Sequence, residues 1–218
     1  MELIEVLTNR RSVRKFSNRR VHQDLIKDII GLAVCAPSAC NRQEWRFIVI
    51  ESEEIKRNIF DFGGSEVIAH APVVILILYS NQTNNLEYSD HIQSASAAIQ
   101  NLLLAAYNYN LAGCWVCHLP SKRILRKFLK IPKTFDPIAA VALGYPDKIP
   151  VKIPRKYKPE QIISYNKFNF PETKEVESDS NLKLRQILSY VYKHSPLFIK
   201  KMFLNKFINK NIAKKFDN

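Results

Sequence analysis

Apolar residues at Leu3, Ile4, Val6 and Leu7 fall at helical spacing and predict a short opening helix over 2–9. Leu25, Ile26, Ile29, Ile30, Leu32 and Ala33 then recur every three to four residues, which predicts a second helix closing before Pro37. The run WRFIVI at 45–50 is rich in β-branched and aromatic residues and reads as a strand. A helix over 53–60 follows, broken by Gly63-Gly64. The segment 72–79 (PVVILILY) is apolar on both alternating faces, the pattern of a strand buried inside a sheet. Ser89-Asp90 offers an N-cap for a long helix to about 111, with Gly113 as its stop. Ile92, Ala95, Ala97, Ala98, Ile99, Leu102 to Leu104, Ala105 and Ala106 make this helix apolar on nearly all sides, so it belongs to the core. Residues 114–117 read as a short strand, Ser121 caps a helix to about 130, and IAAVAL at 138–143 is a further buried strand. The alternation of strands and helices predicts an α/β or α+β class with a mostly buried sheet.

Past 143 the pattern changes. A proline-punctuated stretch at 146–159 ends the compact part, and beyond Pro171 the chain turns polar and charged (ETKEVESDSN). An amphipathic segment follows, with Leu184, Ile187, Leu188 and Val191 on one face. It breaks at Ser195-Pro196, and Phe198, Ile199, Met202, Phe203 and Phe207 lie beyond. The reading is therefore a main domain over 1–171 and a basic helical extension over 172–218, with no internal repeat.

Composition narrows the function classes. The 218 residues are 46% hydrophobic and 24% charged, ordinary for a globular chain. Five glycines (Gly31, Gly63, Gly64, Gly113, Gly144) cannot be arranged as either glycine-loop phosphate cradle. The longest uncharged apolar run, 71–79, is less than half of a bilayer crossing. The amino terminus carries acids where a signal peptide is positive. Four cysteines without an export signal predict free thiols in a reducing, cytoplasmic setting. Charge is the unusual quantity: 33 basic against 20 acidic residues, formally +13, which favours anionic partners. Two clusters carry it, one at Arg10, Arg11, Arg14, Lys15, Arg19 and Arg20, the other in the acid-free segment 182–216.

Two segments could carry chemistry. In RRSVR at 10–14, three guanidiniums and a hydroxyl within five residues can receive a phosphate monoester; the alternative is a solvated basic loop. In APSACNRQEWRF at 36–47, small and amide-bearing residues stand between a helix and a buried strand. There, backbone can approach a flat heterocycle and uncharged polar groups can bond its edge. Alone, that segment could also be a capped turn with an anchoring Trp.

Taken together, these segments resemble the nitroreductase family of flavin enzymes, which opens with R-R-S-x-R after a short helix and carries A-P-S-x-x-N-x-Q-P-W-x-F about 25 residues later. The resemblance runs on through APVVILIL (71–78), AIQNLLLAAYNYNLAGCW (98–115), IPKTFDPIAAVALGYP (131–146) and RKYKPEQII (155–163), covering about residues 1–165 in order. It implies an α+β, three-layer fold with a central mixed, mostly antiparallel sheet flanked by helices, assembled as a homodimer with FMN at the interface. By position, Arg10, Arg11, Ser12 and Arg14 would hold the phosphate and ribityl side. Pro37, Ser38, Ala39, Asn41 and Gln43 would reach the flavin from the partner subunit. Val116, Cys117 and His118 would lie against the ring's reactive edge, and Lys156 and Lys158 would close over the phosphate. The chain departs from the family's pattern at Glu44 (usually proline), at Cys40 (commonly glycine) and in the glycine-free stretch 115–118, all bearing on the substrate pocket.

The activity so implied is ping-pong hydride transfer from NADH or NADPH through flavin N5 to a nitroaromatic, a quinone or a related small molecule. No side chain is required as acid or base, so no catalytic residue is assigned. Within the same fold, the alternative is a dehydrogenase that oxidises a small biosynthetic substrate. Outside it, the alternative is a basic adaptor binding membrane or a partner through its tail.

The remaining features are weaker. Cys114 and Cys117 form a C-x-x-C, but on a strand with no thioredoxin context they are not expected to pair. A zinc site that adds Cys35 and Cys40 would pull Cys40 out of the flavin loop. The histidines lack metal-ligand spacing, so no metal is expected. The basic tail could wrap a dimer partner, lie on an anionic membrane surface or dock on another protein. Nucleic acid is not an expected partner.

Overall fold

Strand β2 (Val73–Ser80) organises the molecule because both of its faces are apolar and all eight of its residues are buried. Val73, Ile75, Ile77 and Tyr79 face one way, Val74, Leu76 and Leu78 the other. Burying one side chain of this size stabilises by about 1.5–3 kcal/mol, so a strand with two buried faces commits the chain to helices on both. The computed structural model describes residues 1–170 together with Ile187 and Tyr190. The expected extension over 172–218 lies outside the described residues except at those two positions, both helical and exposed.

β2 pairs antiparallel with β1 (Trp45–Ile50) on one side and with β4 (Phe135–Gly144) on the other, and β3 (Ala112–Val116) pairs antiparallel with β4. The order is β1-β2-β4-β3. All three pairings are antiparallel, and the expected mixed character is limited to an isolated parallel bridge from Ser12, outside the four strands, to Gly113. Helices α2 (Gln23–Ala33) and α5 (Asp90–Asn108) pack on one face through Ile26, Ile29, Ala98, Ile99 and Leu102. On the other face Ile59, Ile68 and Leu125 cover the sheet from α3 (Glu53–Asp61), α4 (Glu66–His70) and α6 (Lys122–Leu129). The short helix α1 (Leu3–Asn9) contributes Val6 to the core. The result is the expected α+β, three-layer arrangement.

Several boundaries differ from the sequence reading. β4 starts at Phe135 rather than 138, because a bulge opposite Ile77 and Leu78 admits Pro137 without demanding a ladder hydrogen bond from it. β3 starts at Ala112 and stops at Val116, leaving Cys117 just past its end. α5 stops at Asn108, and Asn110, at φ 59°, takes the left-handed position expected of Gly113. Gly113 serves packing instead: a Cβ there would sit 2.6 Å from Leu103 Cδ2. Ser89 precedes α5 but does not cap it. At φ 48° it is itself left-handed, and its hydroxyl donates to Leu86 O. Ser121 does cap α6, accepting from Ile124 N at 3.4 Å. Helix α4, at five residues, is too short to show a period and had no counterpart in the pattern.

Two buried charges are built into the frame. Lys56, 1% exposed, donates to Ala71 O at 2.6 Å and to Glu53 Oε1 at 2.6 Å, satisfying a carbonyl at the end of α4. Asp136 accepts from Lys122, from Arg126 and from Asn81 Nδ2, tying α6 to the start of β4. Among the described residues, no helix is long and apolar enough to cross a membrane.

Candidate functional site

Arg10 ends α1 in extended backbone, its N–H donating to Val6 O at 3.0 Å. The chain then runs beside β3 and the end of β4. Val13 N donates to Gly113 O at 3.2 Å and Ser17 N to Tyr145 O at 2.9 Å, and Lys15 O accepts from Asp147 N at 3.2 Å. Strand-like alternation buries Val13 and leaves Ser12 and Arg14 exposed on either side of it.

This path gathers cations. Burial and then the positive charges of Arg155 and Arg11 push the Arg10 guanidinium below its ordinary value. Burial raises the Cys114 thiol, while nearby Arg14 and Arg10 oppose the shift. Arg10 and Arg14 therefore lie near the buried sulfur of β3, and Arg155 and Arg11 lie near Arg10. Since a guanidinium stays charged, the depressed Arg10 records first its burial and then the neighbouring cations, both of which an anion bound there would offset.

Arg11 is turned differently. Its Nη1 donates to Thr8 O at 2.8 Å and to Arg10 O at 2.7 Å, and it lines a cavity of about 240 Å³ with Met1, Val13, Tyr107, Leu111 and Ile149. Lys156 and Lys158 are exposed; the former lies 5.1 Å from the Tyr157 ring, and the latter's backbone N–H donates to Gln161 Oε1 at 2.9 Å. Arg155, not named from the sequence, is the late basic residue set beside Arg10. It stands in the RKYK run, but an irregular segment has no period to tell which cation turns inward.

At the end of β3, Val116 is buried, Cys117 exposed and His118 half-buried, with His118 O accepting from Ser65 N at 3.0 Å. Cys114 and Cys117 are free thiols, as are Cys35 and Cys40. Among the described residues, no three His, Cys, Asp or Glu side chains converge as metal ligands would.

The second segment leaves α2 through Pro37 and makes a tight turn over Ala39–Asn41. Cys40, Asn41 and Gln43 have φ of 50°, 53° and 53°, a left-handed conformation costing an ordinary residue about 1–2 kcal/mol. Local bonds hold it: Ser38 Oγ accepts from Gln43 N at 3.0 Å, and Asn41 Oδ1 from Gln43 Nε2 at 2.7 Å. Ala39 N donates to Ser94 Oγ at 3.0 Å, and Trp45 Nε1 to Ser94 O at 3.0 Å. Strain kept in an exposed polar loop is what a binding surface requires. The left-handed Cys40 also explains why glycine is common there in the pattern the sequence resembles.

The two segments do not meet. The loop leads into β1 at one edge of the sheet, while Ser12 bridges β3 at the other, and strand spacing alone puts those edges about 14 Å apart. They also lie at opposite ends of the strands, since Trp45 is level with Tyr79 and Asp136, and Gly113 with Leu143.

Comparisons with known proteins bear on the family and the fold. Residues 7–63 and 58–145 match the family model described as the Nitroreductase family. A protein of Methanothermobacter thermautotrophicus named as an NADH dehydrogenase/NAD(P)H nitroreductase is 32% identical over 156 residues, 69% of this chain and 80% of its own. One of the same name from Archaeoglobus fulgidus is 32% identical over 151 residues, 66% of this chain and 86% of its own. Among solved structures, an FMN-dependent nitroreductase from Clostridium difficile superposes with a TM-score of 0.67 at 25% identity, covering 76% of this chain and 100% of its own.

Proposed function

The chain belongs to the nitroreductase family, and on that premise we propose that it is an FMN-dependent oxidoreductase that passes hydride from NADH or NADPH to a nitroaromatic, quinone or related small-molecule acceptor in ping-pong order. The observation that carries the reading is the group of guanidiniums at Arg10, Arg11 and Arg14 with Arg155 beside them, where burial and then the charges of Arg155 and Arg11 depress Arg10. Such a group fits a phosphate monoester, the anionic end of FMN.

When bound, FMN would supply the two-electron chemistry; the chain's own residues bind and orient it. Arg10, Arg14 and Arg155 would hold the phosphate, with Ser12 and Arg11 on the ribityl side and Lys156 and Lys158 nearby. Val116, Cys117 and His118 would border the ring. Pro37, Ser38, Ala39, Asn41 and Gln43 would come from the partner subunit of a homodimer. The separation of this loop from the basic group within one chain supports that assembly, since a second copy would bring its own loop to a flavin whose phosphate the first copy holds. The same reading places the enzyme in the cytoplasm and sets the boundary of the main domain at 171, with 172–218 as an extension.

Visible absorption of the purified protein tests the proposal. A flavin spectrum that bleaches on anaerobic addition of NADH or NADPH is expected. A colourless protein that also takes up no added FMN would sink it.

A further inference from the structure

We propose that Ser94, on α5, is a positioning residue that sets the conformation of the 38–43 loop for the flavin; this rests on the function proposed above. Ser94 is 4% exposed and touches the loop's path twice. Its hydroxyl accepts from Ala39 N at 3.0 Å, at the start of the turn, and its carbonyl accepts from Trp45 Nε1 at 3.0 Å, where the loop becomes β1. The hydroxyl is itself aimed by donating to Asp90 O at 2.8 Å, and the Asp90 carboxylate accepts from Thr83 Oγ1 at 2.6 Å.

The three left-handed residues between these two anchors would relax in a free loop. The hydroxyl bond fixes where the strained turn begins, and the indole bond fixes where it ends. Of the side chains expected to meet the flavin, Asn41 and Gln43 lie between the two and Ser38 immediately precedes the first. Ser94 therefore acts on the cofactor through Ala39 without touching it.

Ser94→Ala removes the first anchor and keeps the second, because the indole bonds a backbone oxygen. Alanine also suits a helix better than serine, which offsets part of the lost hydrogen bond in overall stability. Ser94→Thr keeps the hydroxyl and its bond to the carbonyl four residues back, and Ser94→Cys puts a weak acceptor of similar shape in its place.

The test is FMN affinity, followed by quenching of FMN fluorescence, together with the visible circular dichroism of bound FMN and the melting temperature of the apoprotein. Ser94→Ala is expected to weaken FMN binding by about three- to tenfold, the worth of one neutral hydrogen bond, and to change the visible dichroism, with apoprotein melting within about 2 °C of wild type. Ser94→Thr is expected to keep wild-type affinity and dichroism, and Ser94→Cys to lose part of both. Wild-type affinity in Ser94→Ala, or an equal loss in Ser94→Thr, would overturn the inference while leaving the proposed function standing. If Ser94→Ala does not fold, Ser94→Cys decides it by the same affinity and dichroism. Failure of the wild type itself to take up FMN would overturn both.

Discussion

Arg155 separates a binding residue from a structural one by sign. After burial, its charge is the first cation that depresses Arg10, so among the described residues its recorded effect without an anion is repulsion. Arg155 is exposed, and solvent screening holds that repulsion to at most a few tenths of a kcal/mol. Arg155→Gln should therefore leave the apoprotein as stable as wild type or raise its Tm by about 1 °C. With FMN the sign reverses. A guanidinium–phosphate contact contributes about 1.5–3 kcal/mol, which is about 10- to 100-fold in affinity. Paired thermal melts with and without FMN, and FMN titrations at low and high salt, measure both quantities. The variant's loss of affinity should shrink as salt rises. An apoprotein destabilised by several degrees, or unchanged FMN affinity, would refute the reasoning and make Arg155 part of the frame.

Three further outcomes follow from the frame. Burial acts to raise Asp136, but bonds from Lys122 and Asn81 and the charges of Lys122 and Arg126 outweigh it and hold the carboxyl below the ordinary aspartate range. Its contribution is thus complete above about pH 4 and lost as pH falls through the lowered value, so acid melts of Asp136→Asn should converge on wild type below pH 4. Lys56→Ala leaves Ala71 O without its buried donor and opens a cavity, so a loss of about 2–4 kcal/mol is expected by urea unfolding, whereas Glu53→Gln, on the exposed partner, should cost under about 1 kcal/mol. At φ 50°, Cys40→Val should destabilise by about 1–2 kcal/mol, while Cys40→Gly should stay within about 1 kcal/mol of wild type, both read from chemical unfolding.

How much of this was legible depended on how far each feature reaches along the chain. β2 and α5 could be read because a two-faced apolar strand and an all-round apolar helix have no other stable place than the interior. The start of β4 could not, because Asp136-Pro137 looks like a turn until the bulge opposite Ile77 is known, and that bulge belongs to another strand. Lys56 gave no signal at all, since a lysine in a charged helix reads as solvated; only the carbonyls of Ala71 and Pro72 explain its burial. RRSVR and APSACNRQEWRF were legible as motifs. Arg155 was not singled out within RKYK, and Ser94, one serine among alanines on a buried helix, had no local mark.

Helix α5 ties the two halves of the candidate site together and also keeps them apart. Near its start Ser94 holds the loop, and nine residues later Leu103 lies over Gly113, the residue that pairs with Ser12. At 1.5 Å per residue those two points are about 14 Å apart along a rigid rod that links the loop beside β1 to Gly113 on β3. No rotamer change can close that span, and moving either segment would break a packed core. On the proposed reading, the guanidinium group and the strained loop serve either different molecules or a flavin shared between two copies of the chain. A flavin carries a phosphate at one end and a flat polar ring at the other, so the second choice uses both surfaces on one ligand. The rigidity that denies the single chain a complete site would give two copies a fixed and repeatable one.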